Sequence, residues 1–146
     1  MIPKSELQLA NWMKDNCYNF NSYSIGGNII YEGYGIEKSG ALYIWYHTER
    51  GVRTNIDYFQ SEEEIIKYAY GKILNDNFAN SHCIGFTSNK LKSKELATIL
   101  TEKNIKFTSD EIPFNGKGNP TYRTFVFGCD INKVKHLKSI YLELST

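Results

Sequence analysis

In the stretch YIWYHTERGVRTNIDYF, residues 43 to 59, the side chains able to do chemistry are His47, Glu49, Arg50, Arg53 and Asp57. An imidazole beside a carboxylate can exchange protons, and a guanidinium can stabilise an oxyanion or a phosphate, so this set is the one the sequence offers for ribonuclease-like acid–base work. Along a strand, residues two apart share a face. His47 and Glu49 are therefore neighbours, whereas Asp57 falls farther from the tip on the next strand, too distant to act directly with His47. The enzymatic reading is a small hydrolase or nuclease using His47 and Glu49. Against it, a histidine beside a turn is more often a solvated surface residue.

The same residues also read as an interface. Glu49, Arg50 and Arg53 at a hairpin tip, backed by Tyr46, Tyr58 and Tyr43, combine charge with the aromatic and arginine anchors that dominate protein binding energy. Asp57, Glu62, Glu63 and Glu64 follow and would suit a basic partner, although three glutamates also simply begin a helix.

Other candidates carry less. In His82-Cys83 the two side chains of adjacent strand residues point to opposite faces, which denies a Cys–His nucleophilic pair its hydrogen bond. His136 lies among Lys133, Lys135 and Lys138, a positive solvent-facing surface. FNGKGNP has glycines but not the spacing of a phosphate-binding loop, and no cofactor or metal motif is present. Cys17, Cys83 and Cys129 are odd in number and far apart. They fit reduced, buried thiols better than a disulfide framework or a zinc site.

The elements that must hold the hairpin follow from periodicity. From Lys4 to Phe20, the spacing of Leu9, Met13, Cys17 and Phe20, with Trp12 beside them, predicts an amphipathic helix. A strand is expected around Asn28 to Gly35, with a turn at Glu37 to Gly40. Ala41 to Thr48 is apolar on both faces, so it should be central in its sheet. Val52 to Phe59 places Val52, Ile56 and Tyr58 on one face and Arg53, Asn55 and Asp57 on the other.

Between those two strands lies ERG. A three-residue loop, with only Gly51 left-handed, is preferred over a two-residue Arg50-Gly51 turn that would force positive φ on Arg50. It would oppose Tyr46 to Thr54, Ile44 to Ile56 and Leu42 to Tyr58. The shorter loop also yields an apolar face, so pattern alone leaves the register open.

A helix then begins at Ser61, with Glu64 reaching back and Ile65, Ile66, Ala69 and Ile73 inward. A short strand at Cys83 to Phe86 and a helix from Ser93 to Lys103, with Leu96, Ile99 and Leu100 inward, come next. After them the sequence predicts a strand from NIKF, a strand from Tyr122 to Phe127 and a short helix capped by Asp130. The sum is an α+β single domain spanning residues 1–146: a mostly antiparallel sheet with about three to four packed helices.

Length and composition agree with a chain that folds around a real core. Charge excludes more than it selects: at +1 the chain carries no overall field that would draw nucleic acid or an anionic membrane. There is neither a stretch of transmembrane length nor a signal-peptide pattern, so the expected compartment is the cytoplasm and no membrane partner is expected. Eleven tyrosines suit a binding surface, since each packs a ring while presenting a hydroxyl.

The strand YIWYHTERG, the strand ending DYF and the helix SEEEIIKYAYGKIL together resemble the immunity proteins of bacterial contact-dependent growth inhibition and polymorphic-toxin systems. The matching positions are Trp45, Glu49, Arg50, Gly51, Phe59 and Glu62 to Glu64. ELATILTEKNIKF and YRTFVFGCDINKVKHL look similar to the C-terminal half of such proteins, so the likeness spans about two-thirds of the chain.

The resemblance implies a cytoplasmic protein without enzymatic turnover or cofactor. It would bind one cognate toxin C-terminal domain, normally a nuclease; the interface reading of the hairpin and helix start then gives Tyr46, Glu49, Arg50, Arg53, Asp57, Tyr58, Glu62 and Glu63 as the expected contact residues. Nuclease inhibitors are often strongly acidic. At +1, either the acid here is concentrated around Asp57 to Glu64 and Asp110 to Glu111, or the toxin is not a basic nuclease.

Overall fold

A computed structural model describes residues 2–143. The chain divides into two compact units, one ending at Ala79 and one beginning at Asn80. Helices and mostly antiparallel strands make the class α+β, with the strands distributed over a four-stranded and a three-stranded sheet instead of one.

The first unit starts with α1, Glu6–Asp15, whose N-cap Ser5 accepts the Gln8 N–H and whose Leu9, Ala10 and Met13 are buried. The expected helix runs on to Phe20; the observed one stops at Asp15. Cys17 there adopts φ 57, and the N–H of Tyr18 closes onto the Met13 carbonyl while that of Cys17 closes onto Lys14. This is the Schellman pattern, which satisfies the last carbonyls and turns the chain away.

Four strands follow: β1 (Tyr23–Ser24), β2 (Glu32–Ser39), β3 (Leu42–Glu49) and β4 (Val52–Phe59). Their order is β1-β2-β3-β4, with β1 parallel to β2 and the other pairs antiparallel. β2 lies later than the sequence reading placed it, and Glu37 is inside the strand. The turn is only Gly40 and Ala41, because Gly40 at φ 61 takes the left-handed position of a tight hairpin. Residues 28–30, expected as strand, are loop. Asn28 organises this loop by donating to the carbonyls of Phe20 and Tyr23 and accepting from the Ile25 N–H.

β3 is central, as its two apolar faces require. α2, Glu62–Leu74, covers one face: Ser61 caps it by accepting the Glu64 N–H at 3.2 Å, and the Glu64 carboxylate reaches back to the Gln60 N–H at 3.3 Å. Ile65, Ile66, Ala69 and Ile73 are fully buried and pack in one cluster with Leu9, Met13, Tyr23, Ile25 and Trp45. Each large aliphatic side chain removed from water in this way contributes about 1.5–3 kcal/mol.

The second unit contains β5 (Ser81–Thr87), α3 (Lys90–Glu102), β6 (Phe107–Ile112) and β7 (Thr121–Phe127), the strands ordered β5-β7-β6 and antiparallel. Two four-residue helices, α4 (Ile131–Val134) and α5 (Lys138–Tyr141), close the described chain. α3 starts earlier than expected because Asn89 caps it, accepting the N–H groups of Leu91 and Lys92. β6 starts later than NIKF suggested, since Asn104 is left-handed at φ 56. Asp130 makes no side-chain cap bond; it pairs with Lys133 at 3.2 Å instead. Among the described residues no helix is long and apolar enough to cross a membrane.

The expectation of three reduced thiols is corrected. Cys17 and Cys129 are disulfide-bonded, and Cys83 is free.

Candidate functional site

The β3–β4 connection is the two-residue turn, not the three-residue loop. Glu49 pairs with Val52, and both central residues are left-handed, Arg50 at φ 52 and Gly51 at φ 78. The twist of such a primed turn matches that of the flanking strands, which outweighs a cost of about 1 kcal/mol for a non-glycine residue with positive φ. The expected pairs therefore fail. Tyr46 faces Asn55, Ile44 faces Tyr58, and Ile56 is left without a partner where the register shifts between Trp45 and Tyr46. Because strand side chains alternate with period two, one inserted residue moves everything beyond it to the other face. Tyr58 consequently joins Arg53's face, and Asp57 comes opposite Trp45.

On that face, Arg53 lies 3.8 Å from the ring centroid of Tyr46 and forms an ion pair with Glu37. The Tyr46 ring lies directly on Gly35, where an added Cβ would stand 2.4 Å from its hydroxyl. Only glycine permits this seat. Tyr46, Arg53 and Glu37 thus form a pre-set group, and Tyr58, 53% exposed, shares their face.

On the opposite face a row of rings runs along the sheet. His47 lies 4.9 Å from Tyr34, Tyr34 stacks on Trp45 at 5.5 Å, and Trp45 meets Tyr68 edge-on at 5.7 Å. Tyr23, Tyr34, Trp45, Ile56, Tyr68 and Lys72 line a cleft of about 200 Å³. At one side the Tyr23 hydroxyl donates to Asp76 at 2.6 Å, and burial, reinforced by that bond, pushes its pKa up, so the phenol stays protonated.

Toward the tip, Glu49 stands directly opposite Glu32. A donor atom from each of Glu32, His47 and Glu49 lies within 4.8 Å of the others. The expected neighbours His47 and Glu49 are thus together, and Asp57 is outside the group.

The residues expected at the interface divide between these places. Tyr46, Arg53 and Tyr58 share one face, Glu49 belongs to the other, and Arg50 is exposed in the turn. The Asp57 carboxylate accepts the N–H of Tyr58 at 3.0 Å. Glu62 accepts the Glu6 N–H at 3.2 Å and is half-buried, while Glu63 is exposed. In the second acidic patch, Asp110 is paired with Arg123 through two bonds of 2.8 and 2.6 Å, which hold its carboxyl below the usual carboxylate range.

No family model matches the chain, and no curated protein or solved structure matches it. The site rests on its own geometry.

Glu32, Glu37, Tyr34, Tyr68 and Lys72 are the residues the sequence reading missed. KSGA between the two strands was the available signal: a two-residue turn at Gly40 puts Glu32 across from Glu49, whereas a turn centred earlier does not. The remaining sequence candidates belong to the second unit. Cys83 is pushed up in pKa by burial, away from the thiolate a nucleophile needs. His136 lies in the 3₁₀ turn Lys135–Leu137.

Proposed function

We propose that the chain is an immunity-type protein that binds a cognate bacterial toxin domain, normally a nuclease, and neutralises it stoichiometrically without turnover. The observation that supports this reading is β4. Every residue from Val52 to Tyr58 is exposed although the strand carries Val52 (67%), Ile56 (47%) and Tyr58 (53%). It is the last strand of its sheet, so one row of backbone donors and acceptors is unpaired within the sheet. Apolar side chains along such an edge, beside an arginine already oriented over a tyrosine, are what a partner can bury at low ordering cost. Arg50 adds to this: an arginine occupies a left-handed position at the turn where Asn or Gly would be at ease.

The test is co-expression with the C-terminal domain of the protein encoded by the neighbouring reading frame, followed by calorimetry. A one-to-one complex of nanomolar or tighter Kd with rescue of growth is expected, and Arg50→Ala with Tyr58→Ala should lose about 2 kcal/mol or more of binding energy. Absence of both complex and rescue would sink the reading for that toxin.

The cytoplasm belongs to the same proposal. A reducing compartment keeps cysteines as thiols, whereas Cys17 and Cys129 are disulfide-bonded here. Thiol counting on protein alkylated directly in cells decides the point: three reactive cysteines support a cytoplasmic protein, and one opposes it.

A second reading, a small hydrolase or nuclease using His47 and Glu49, is favoured by the convergence of these two residues with Glu32. It requires hydrolysis of an RNA or ester substrate that His47→Ala abolishes without changing the melting temperature.

A further inference from the structure

We propose that Glu32, His47 and Glu49 form a binding site for one divalent transition-metal cation of the zinc class. This site stands independently of the toxin-binding reading. One donor atom from each residue lies within 4.8 Å of the other two. Zinc–nitrogen and zinc–oxygen bonds are about 2.0–2.2 Å and zinc sites are tetrahedral, so ligands of one ion stand roughly 3.3–3.6 Å apart; rotation of the two exposed glutamate side chains, closing the donors by about 1 Å, would bring this arrangement to coordination.

The donor set selects the ion class. One imidazole nitrogen with two carboxylate oxygens is a borderline set that favours zinc, manganese, iron or nickel over a purely oxygen-seeking ion such as magnesium.

Three features make the cluster more than exposed acid. Glu32 and Glu49 are directly opposed across an antiparallel pair, an arrangement of like charges that destabilises a sheet. Neither carboxylate is in an ion pair among the described residues. A dication between them converts that repulsion into attraction. His47 is fixed from below, because Tyr34, its cross-strand partner, packs on the imidazole at 4.9 Å. Finally, all three ligands stand on paired strands, with β3 hydrogen-bonded on both sides, so the scaffold is set before an ion arrives. Both glutamates are exposed and His47 is half-buried, which leaves room for water to complete the coordination shell.

The experiment is equilibrium dialysis of the full chain against zinc chloride with elemental analysis, alongside calorimetry and thermal melts. One zinc per chain is expected, with an increase in melting temperature on adding zinc. The double variant Glu32→Gln with Glu49→Gln removes the repulsion as well as the ligands. It should fold at least as well as the parent, bind zinc at least tenfold more weakly, and lose the zinc-dependent thermal shift. His47→Ala should weaken binding similarly, while His136→Ala, outside the cluster, should leave it unchanged. Absence of stoichiometric zinc binding would overturn the proposal. So would binding that survives in the double glutamine variant, or that falls equally in His136→Ala.

Discussion

β3 and β4 are two eight-residue strands of one hairpin, each with aromatic and β-branched side chains, yet they meet opposite environments. β3 has a strand on both sides and α2 over one face, so Trp45 is 2% exposed. β4 has one neighbour, and its Ile56 and Tyr58 remain about half in solvent. Residue type alone does not place a strand in the core; position in the sheet does. An edge that keeps apolar residues in water is then available for binding in a way that the centre is not.

That contrast can be broken at several levels. The largest effect should come from Trp45→Ala, which empties a site enclosed by Tyr23, Tyr34 and Tyr68 and should cost about 3–5 kcal/mol in chemical denaturation. Ile56→Ala in the same assay should cost less than about 1 kcal/mol, because much of its side chain is already hydrated. Equal losses would erase the distinction between centre and edge.

A double-mutant cycle on Arg53→Ala and Glu37→Gln sharpens the comparison next. Both side chains are more than a third exposed, so the coupling should be about 0.2–1 kcal/mol and shrink in high salt. A salt-independent coupling would mean the pair is far better shielded than its exposure indicates. The smallest expected effect belongs to the turn. Arg50→Asn should preserve the hairpin and raise stability by at most about 1 kcal/mol, since asparagine is at ease where Arg50 sits at φ 52. Destabilisation by that change would show that the arginine side chain holds the tip together.

Much of the first unit was legible because its signals are local. Ser61, Glu64 and the stripe Ile65, Ile66, Ala69 and Ile73 lie within a few turns of one helix and match the structure residue for residue. Both strands of the hairpin were also located to within one residue. The end of α1 was missed for an equally local reason: the apolar spacing continues through Cys17 and Phe20 after the Schellman turn has already closed the helix.

The candidate site was legible only in part. His47 and Glu49 were paired correctly by simple alternation, but their third companion, Glu32, depends on how β2 is joined to β3. The face of Tyr58 depends on a shift at Ile56 that no periodicity announces.

Sequence by itself therefore determined the α+β class, the central placement of β3, the cap and buried stripe of α2, and the adjacency of His47 to Glu49. Tertiary structure alone decided that the strands form two sheets, that Arg50 and Gly51 make the turn, that Tyr58 shares a face with Arg53, and that Glu32 meets Glu49. The physical reason is the range of the interactions. Helix periodicity and capping are fixed by hydrogen bonds three or four residues apart, whereas strand register is a choice between pairings whose patterns differ by a single residue. Turn conformation and one inserted residue settle that choice, and each step of one residue exchanges the faces of the strand.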